Sequence, residues 1–374
     1  MRPTSGAKAL NLSAGMNETN VTKLIRKLIE AKAAEVKIGM DVHARDIVIC
    51  IQVDGSHPMH AQRMTHQMLK VLVRALVQAG LKVYSVYEAG PCGHGLHRDL
   101  SELGVVNYVI SPRALQDGRG QKTDALDAAA LVDGLDRYLR GNKKAFTVNR
   151  VPTAKEEQDR SQARLRGQLR ADRHVWEARG RSLMLFHGHH ICGCWWKPKR
   201  WAELNKSLPG WLCEQLQVIR VILLQVDALE QKHRRLLEEC APKTLPKAVG
   251  ALTWMTLLRE ICDWARFKNR RQVSSYTGLC PGGYHSGNGP KRDGHINRHG
   301  NPRVRHLLIE LIWRLVRWQP DYPPVRKLVE GVARGAARRK LAVAAARRLA
   351  VDLWRLATGQ TTAAKLKLTV LASV

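Results

Sequence analysis

Two β-rich runs, Ile38–Met40 and Ile47–Val53, flank the polar stretch His43–Asp46 within KIGMDVHARDIVICIQV, and this pattern reads as a β-hairpin turning near His43–Asp46. A hairpin with two apolar faces needs covering elements, and the next hundred residues supply them. Met64, Met68, Val71, Leu72 and Leu76 recur at helical spacing across His60–Gln78, and Gly80 ends that helix. Leu81–Tyr87 is again strand-like. A glycine-rich turn at Gly90–Gly95 leads into a short helix, then a strand at Val106–Ile110 and a helix from about Thr123 to Tyr138. The order ββαβαβα predicts an α/β domain with a mixed sheet over residues 36–145. Residues 1–35 read as an N-terminal extension carrying an amphipathic helix over Val21–Ala34.

Beyond residue 145 the period changes. Ala154–Phe186 and Glu214–Cys240 are helical, and Leu216, Ile219, Leu223 and Val226 step by three and four as a packed seam does. Residues 146–243 are therefore expected to form an antiparallel, coiled-coil-like helical pair, suited to dimerisation or spacing. The intervening HGHHICGCWWKPKRW, His187–Trp201, is dense in His and Cys. Its spacing fits no common structural zinc site, so it reads as a basic-aromatic surface loop touching nucleic acid. Residues 244–374 are mainly helical around a glycine-rich basic loop, Tyr284–Asn301, and close on helices over Val304–Trp318 and about Val325–Ala357.

Charge narrows the partners. Sixty-two Lys and Arg against 32 Asp and Glu leave a net +30, which calls for a polyanion, and nucleic acid is the commonest. Candidate backbone contacts are Lys122, Lys291, Arg292 and Arg298, together with Arg338, Arg339 and Arg347 on the last helix. The chain has no 18-residue apolar run and no signal-peptide core, so no membrane role is expected and the cytoplasm, close to the nucleoid, is the expected location. Eight scattered cysteines read as reduced thiols.

Four carboxylates carry the candidate chemistry. Asp41 follows one apolar strand and Glu88 ends another; Asp124 and Asp127 lie three apart at a helix start and share a face. Gathered together, such acids suit one or two hard divalent cations, Mg²⁺ or Mn²⁺, with positions left for phosphate. The strings IGMDVHARDI, YEAGPCGHGL, KTDALDAAALV, SYTGLCPGGYHSGNGPKRDGHINRHGN and KLAVAAARRLAVDLW together resemble the DEDD insertion-sequence transposases, kin of the Piv-type DNA invertases. The YEAGPCG form is similar to the subgroup whose elements carry subterminal inverted repeats. The resemblance spans about residues 37–357. It implies a RuvC/RNase H-like catalytic domain, a helical coiled-coil insert and a C-terminal transposase domain. It also implies a structured bridge RNA that pairs with donor and target DNA, and a homo-oligomer, dimer or tetramer.

Ser286 lies in the glycine-rich loop beside Lys291, Arg292 and Arg298. From the residues alone it is a phosphate ligand, a nucleophile or a turn-capping serine. The resemblance matches it to the serine that attacks DNA and forms a 5′-phosphoserine link with the metals assisting. LPKAVGALT, Leu245–Thr253, resembles a hairpin contact to the DNA backbone, with Val249 where a glycine-like turn residue is usual. Two rival readings remain: a junction-type metal-dependent endonuclease with water as nucleophile, and a non-catalytic nucleic-acid-binding remnant.

Overall fold

The computed structural model describes residues 17–111, 123–284, 292–331 and 334–372. The chain divides into two compact units, Met1–Val151 and Pro152–Val374.

In the first unit the expected hairpin forms. β1 (Glu35–Val42) and β2 (Asp46–Val53) pair antiparallel with Gly39 opposite Cys50 and Asp41 opposite Val48. The His43 amide closes the turn by donating to the Asp46 carbonyl at 3.0 Å. β3 (Gln62–Thr65) adds to the outer edge of β2, and α2 (His66–Gln78) begins only after it. The helix expected from His60 therefore starts six residues later. Met64 is buried on the strand, and the Thr65 hydroxyl caps the helix by accepting from the Met68 amide. β4 (Lys82–Glu88), α3 (Gly95–Glu102), β5 (Val106–Ile110) and α4 (Asp124–Leu139) complete the unit. The sheet order is β3-β2-β1-β4-β5, with β4 parallel to both β1 and β5. The mixed α/β sheet expected from the sequence is present.

Alternation sorts the two faces. Ile38, Met40, Ile47, Ile49 and Ile51 pack under α2, and α1 (Glu18–Glu30) adds Val21, Leu24 and Leu28 to the same core. The odd-numbered residues of β1, namely Lys37, Gly39 and Asp41, face α4 instead. Two strand residues advance roughly 6.6 Å and four helix residues roughly 6 Å, so the row Asp124, Ala128, Val132, Asp136 runs antiparallel down that stripe. At one end Lys37 is buried, donating to Asp136 at 2.9 Å, with Glu35 also in contact and Arg140 bonded to Asp136. Burial opposes the Lys37 charge, but the bonds to Glu35 and Asp136 outweigh it and hold Lys37 above the ordinary lysine value. Burial likewise opposes the Asp136 charge, and the bonds from Lys37 and Arg140 hold its carboxyl below the ordinary aspartate range.

The second unit pairs α5 (Ala154–Phe186) antiparallel with α7 (Gly210–Glu239); α6 (Pro198–Ser207) lies between them in sequence. Leu212, Leu216 and Leu223 are buried along the seam, as the periodicity predicts. Polar groups share it: Arg166 and Arg173 reach Glu230 at 3.1 and 3.0 Å, and Arg173 and Lys197 reach Asp227 at 2.9 and 2.7 Å. Trp195 and Trp196 are fully buried against this pair, each indole donating to Glu177. Trp195 lies flat on Gly180, where any Cβ would collide with the ring. The His187–Trp201 stretch thus supplies core, and its two central tryptophans offer no stacking surface to nucleic acid. β6 (Thr244–Pro246), α8 (Ala251–Ile261), α9 (Arg270–Thr277), β7 (Pro281–Tyr284), β8 (Arg292–Ile296), α10 (Pro302–Trp318), α11 (Arg326–Val329), α12 (Gly335–Ala357) and β9 (Val370–Ala372) complete the chain. Their core centres on Leu257, Leu308, Leu311, Ile312, Leu349 and Leu353. Among the described residues no helix is long and apolar enough to cross a membrane.

Removing one partner of a buried ion pair leaves the other charge uncompensated. Lys37→Met should therefore destabilise the first unit by about 3 kcal/mol, the low end of that range because Arg140 still contacts Asp136. Asp136 has a lowered pKa, so its contribution is complete above the unfolded aspartate value and falls away as pH drops through the folded one. Lys37 has a raised pKa, so its contribution persists up to the unfolded lysine value and is lost at higher pH. Urea melts at neutral and acidic pH should show the wild-type advantage over Lys37→Met shrinking only on the acid side of about pH 4.

Candidate active site and basic groove

The stripe that buries Lys37 at one end of α4 presents Asp41 to Asp124 at the other. Gly39 makes this approach possible: a Cβ there would run into the Ala128 carbonyl and the Val132 amide, so the helix backbone rests directly on β1. Asp41, two residues further along the same face, meets the first turn of α4. One oxygen of Asp41, one of Asp124 and a ring nitrogen of His43 all lie within 4.8 Å of one another. His43 Nε2 is 3.4 Å from an oxygen of each aspartate, and this buried atom has no hydrogen-bond partner among the described residues. Strand alternation explains its position, since Asp41 and His43 differ by two. Sequence reading missed His43, although that spacing was the available signal.

Glu88 occupies the matching place on the neighbouring strand. Tyr84, Val86 and Glu88 alternate toward α4, and Met40 pairs with Tyr87, so the ends of β1 and β4 stand side by side. Asp41, His43, His66 and Glu88 line one cleft of about 670 Å³ with Gly90–Cys92. Asp127 begins the helix row that continues as Leu131 and Leu135, which pack on Val86 of β4, so it lies over the strand that ends in Glu88. Both helix aspartates sit in the first turn of α4, where the helix dipole favours negative charge.

Arg63 on β3 reaches across to Asp124 at 2.7 Å and Asp46 at 2.6 Å. Its guanidinium and the His43 ring are cationic or polar neighbours of the Asp41–Asp124 pair. The donor set is carboxylate oxygens with one imidazole nitrogen, which suits Mg²⁺ and, with the nitrogen included, Mn²⁺. The unpartnered buried His43 nitrogen, aimed between two carboxylates, fits a cation at this position.

The second unit builds a pedestal for the glycine-rich loop. Gly278 is left-handed (φ +65°), and Gly300 lies so close to Gly278 and the Tyr276 carbonyl that neither tolerates a side chain. Glu260, fully buried on α8, accepts two bonds from Arg164 at 2.9 Å and one from Asn301 at 2.9 Å. Burial opposes its charge, but the Arg164 and Asn301 bonds outweigh it and hold the carboxyl below the ordinary glutamate range. Asn301 also caps α10 through the Arg303 and Val304 amides. Both ends of the β7–β8 hairpin are thereby clamped. Sequence reading passed over Glu260 and Arg164, because a lone acid on an apolar helix carries no spacing signal.

Ser286, Lys122 and Lys291 lie outside the described residues. Arg292 starts β8, with its backbone paired to Tyr284. Arg298 is exposed in a left-handed turn, its carbonyl accepting from Arg305. On α12, Arg339, Lys340 and Arg347 line a cavity of about 550 Å³ with Pro281 and His295 of the hairpin. Arg347 continues into a second cavity of about 360 Å³ that Arg270, Arg271 and Arg348 complete. Arg338 stacks over Trp313 instead. In Leu245–Thr253 the left-handed residue is Ala248 (φ +74°), and Val249 is buried in the core.

Gly39→Ala should destabilise the first unit by about 1–3 kcal/mol, because the new methyl overpacks against helix backbone that has no side chain to move aside. Urea unfolding measures it; an unchanged midpoint would mean that α4 does not rest on β1 at Gly39.

Residues 244–326, which hold α8, the clamped hairpin and most of the helices around it, match the family described as "Transposase IS116/IS110/IS902 family". The chain is 29% identical over 329 residues to "Putative transposase y4rJ" of Sinorhizobium fredii, covering 77% of this chain and 80% of the relative. It is 31% identical over 261 residues to "Putative transposase y4qE" of the same organism, covering 67% of this chain and 63% of the relative. A "Probable family 20 transposase" of Pseudomonas aeruginosa is 23% identical over 342 residues, 87% of this chain and 97% of the relative. These matches support a transposase of the IS116/IS110/IS902 type.

Proposed function

We propose that this transposase cuts and rejoins the DNA of its insertion sequence through Ser286, with Asp41, Glu88, Asp124 and Asp127 holding Mg²⁺ or Mn²⁺ in a RuvC/RNase H-like domain. The observation that carries the reading is the convergence of Asp41 and Asp124 from a strand end and a helix start, with Glu88 lining the same cleft. A divalent cation bound there would supply Lewis-acid polarisation of the scissile phosphate. His43 and Arg63 orient the two aspartates, and the first turn of α4 adds positive partial charge beside them.

Ser286 performs a transesterification. Its oxygen forms a bond to phosphorus, the bond from phosphorus to the 3′ oxygen breaks, and the serine proton leaves with that 3′ hydroxyl. The resulting 5′-phosphoserine keeps the phosphodiester energy, so a second 3′ hydroxyl reseals the strand without ATP. The basic groove along α12 and the hairpin carries the DNA backbone. A structured bridge RNA supplies sequence recognition by pairing with donor and target DNA, as in other guided systems. The protein acts as a dimer or tetramer, because strand exchange joins at least two cut ends, and it acts beside the chromosome in the cytoplasm.

Asp41→Asn, Glu88→Gln and Asp124→Asn should each lower strand cleavage by roughly a hundredfold or more while DNA binding is retained, since each removes a ligand atom and keeps the volume. On a nicked suicide substrate the wild type should accumulate a DNA-linked peptide at Ser286, mapped by mass spectrometry, and Ser286→Ala should accumulate none. Cleavage by wild type with no adduct would favour the hydrolytic endonuclease. Purified protein should carry one discrete structured RNA, and recombination should stop when nuclease removes it and resume when it is added back.

A further inference from the structure

We propose that the cleft between α5, α8 and α10 is a separate seat for the phosphodiester backbone of DNA, sharing no lining residue with the acidic cleft or the α12 groove. This rests on the chain's action on DNA and is independent of the metal and serine chemistry. The cleft has a volume of about 620 Å³, enough for a nucleotide-sized group. It is open because α5 turns small residues toward it: Ala163, Gly167 and Ala171 recur every four positions, and a Cβ on Gly167 would meet nothing within 4 Å.

Its rim is cationic beyond what its own acids neutralise. Arg164, Arg166, Arg170, Arg303 and Arg314 line it, against Glu260 and Glu310. Glu260 is committed to Arg164 by two bonds and to Asn301 by a third. Glu310 makes longer contacts, 3.4 Å to His306 and 3.7 Å to Arg314. Arg303 reaches Glu260 only at 4.0 Å, and Arg170 makes no hydrogen bond or ion pair with any described residue. Arg166 spends one nitrogen on Glu230 and leaves a buried Nε unpartnered. Burial chiefly, with smaller contributions from Arg170 and Arg234, holds that guanidinium below its usual value despite Glu230. The first turn of α8 contributes Leu252 and Thr253 to the wall, and its N-terminus has no side-chain cap. A phosphodiester anion answers all of these at once: Arg forks, a helix N-terminus and room for the ribose. A membrane headgroup would reach a groove between three helices poorly. DNA is the polyanion that a transposase handles.

The test measures binding of a labelled DNA duplex by fluorescence anisotropy, with full-length protein, no divalent cation and a salt titration. The Arg170→Ala/Arg303→Ala double variant should weaken binding several-fold and lower the log–log salt slope by about two, one per lost phosphate contact. Gly167→Glu should weaken it as much with every arginine in place, because it puts a carboxylate in the cleft. Arg200→Ala, which removes one equally exposed cation from α6, should leave the slope unchanged. Thermal melts of the variants should match wild type. Unchanged affinity and slope in both cleft variants overturn the proposal, as does a loss confined to an RNA duplex of the same sequence. Omitting divalent cations separates this outcome from failure of the catalytic reading, which the Ser286 adduct reports.

Discussion

The helix–strand contact at Gly39 is the constraint from which the acidic cleft derives. A backbone-to-backbone approach of α4 on β1 is open only to glycine at that position, and it fixes the distance between the two elements along their whole overlap. With the spacing set, the nearly equal advance of four helix residues and two strand residues keeps the rows in step. The same register that buries Lys37 against Asp136 at one end carries Asp124 to Asp41 and His43 at the other. A structural ion pair and a candidate catalytic cluster are thus two ends of one packing arrangement. This placement also explains how two aspartates tolerate such closeness: Arg63 and the His43 ring stand beside them, and the α4 N-terminus supplies positive partial charge.

The second unit solves a different problem, which is to hold a glycine-rich loop by its base. Burying a carboxylate is unfavourable unless its oxygens are fully bonded, and Glu260 meets that condition through Arg164 and Asn301. Those two partners come from α5 and from the start of α10, so one buried acid ties the long helical pair, α8 and the hairpin's exit together. The mutual closeness of Gly278 and Gly300 then fixes the hairpin's two ends against each other.

Periodicity made much of this architecture legible. Two β-rich runs around a polar turn gave the hairpin, and Asp41 and Glu88 stood where strands end; the helix expected from about Thr123 starts at Asp124, with the Thr123 hydroxyl as its cap. Where reading failed, a tertiary partner decided. Met64 stands at helical spacing from Met68 and Leu72, yet the open edge of β2 recruits Gln62–Thr65 as a strand. Trp195 and Trp196 sit in a basic stretch, but Gly180, fifteen residues before Trp195, opens a flat site on α5 that only a ring fills. His43 was legible from its spacing of two from Asp41 but was passed over, whereas Glu260 derives its significance from Arg164 and Asn301, both distant in sequence. The metal reading came from the four carboxylates themselves, whereas the phosphoserine link and the guide RNA rest on resemblance, since no periodicity encodes them.

Net charge foretells a polyanionic partner but not where it binds, and the pairing pattern supplies what the total lacks. Most of the positive excess falls in residues 152–374. Within them the cations divide into two populations. Arg173 and Lys197 are drawn into the α5–α7 seam by Glu230 and Asp227, and Arg164 is held by Glu260, so their charge is largely consumed in building the fold. Arg339, Lys340 and Arg347 make no ion pair with a described residue and project from a helix whose opposite face, Ala345, Ala346, Leu349 and Ala350, is core. A surface cation that finds a carboxylate nearby gains little, about 0–1 kcal/mol, and loses most of its attraction for phosphate. A cation denied one keeps that attraction, and several on one helix face release several counterions when a backbone arrives. Placing acids in the seam, and only the buried Asp352 beside Arg348 on α12, therefore separates structural arginines from binding ones, although the two are indistinguishable in composition.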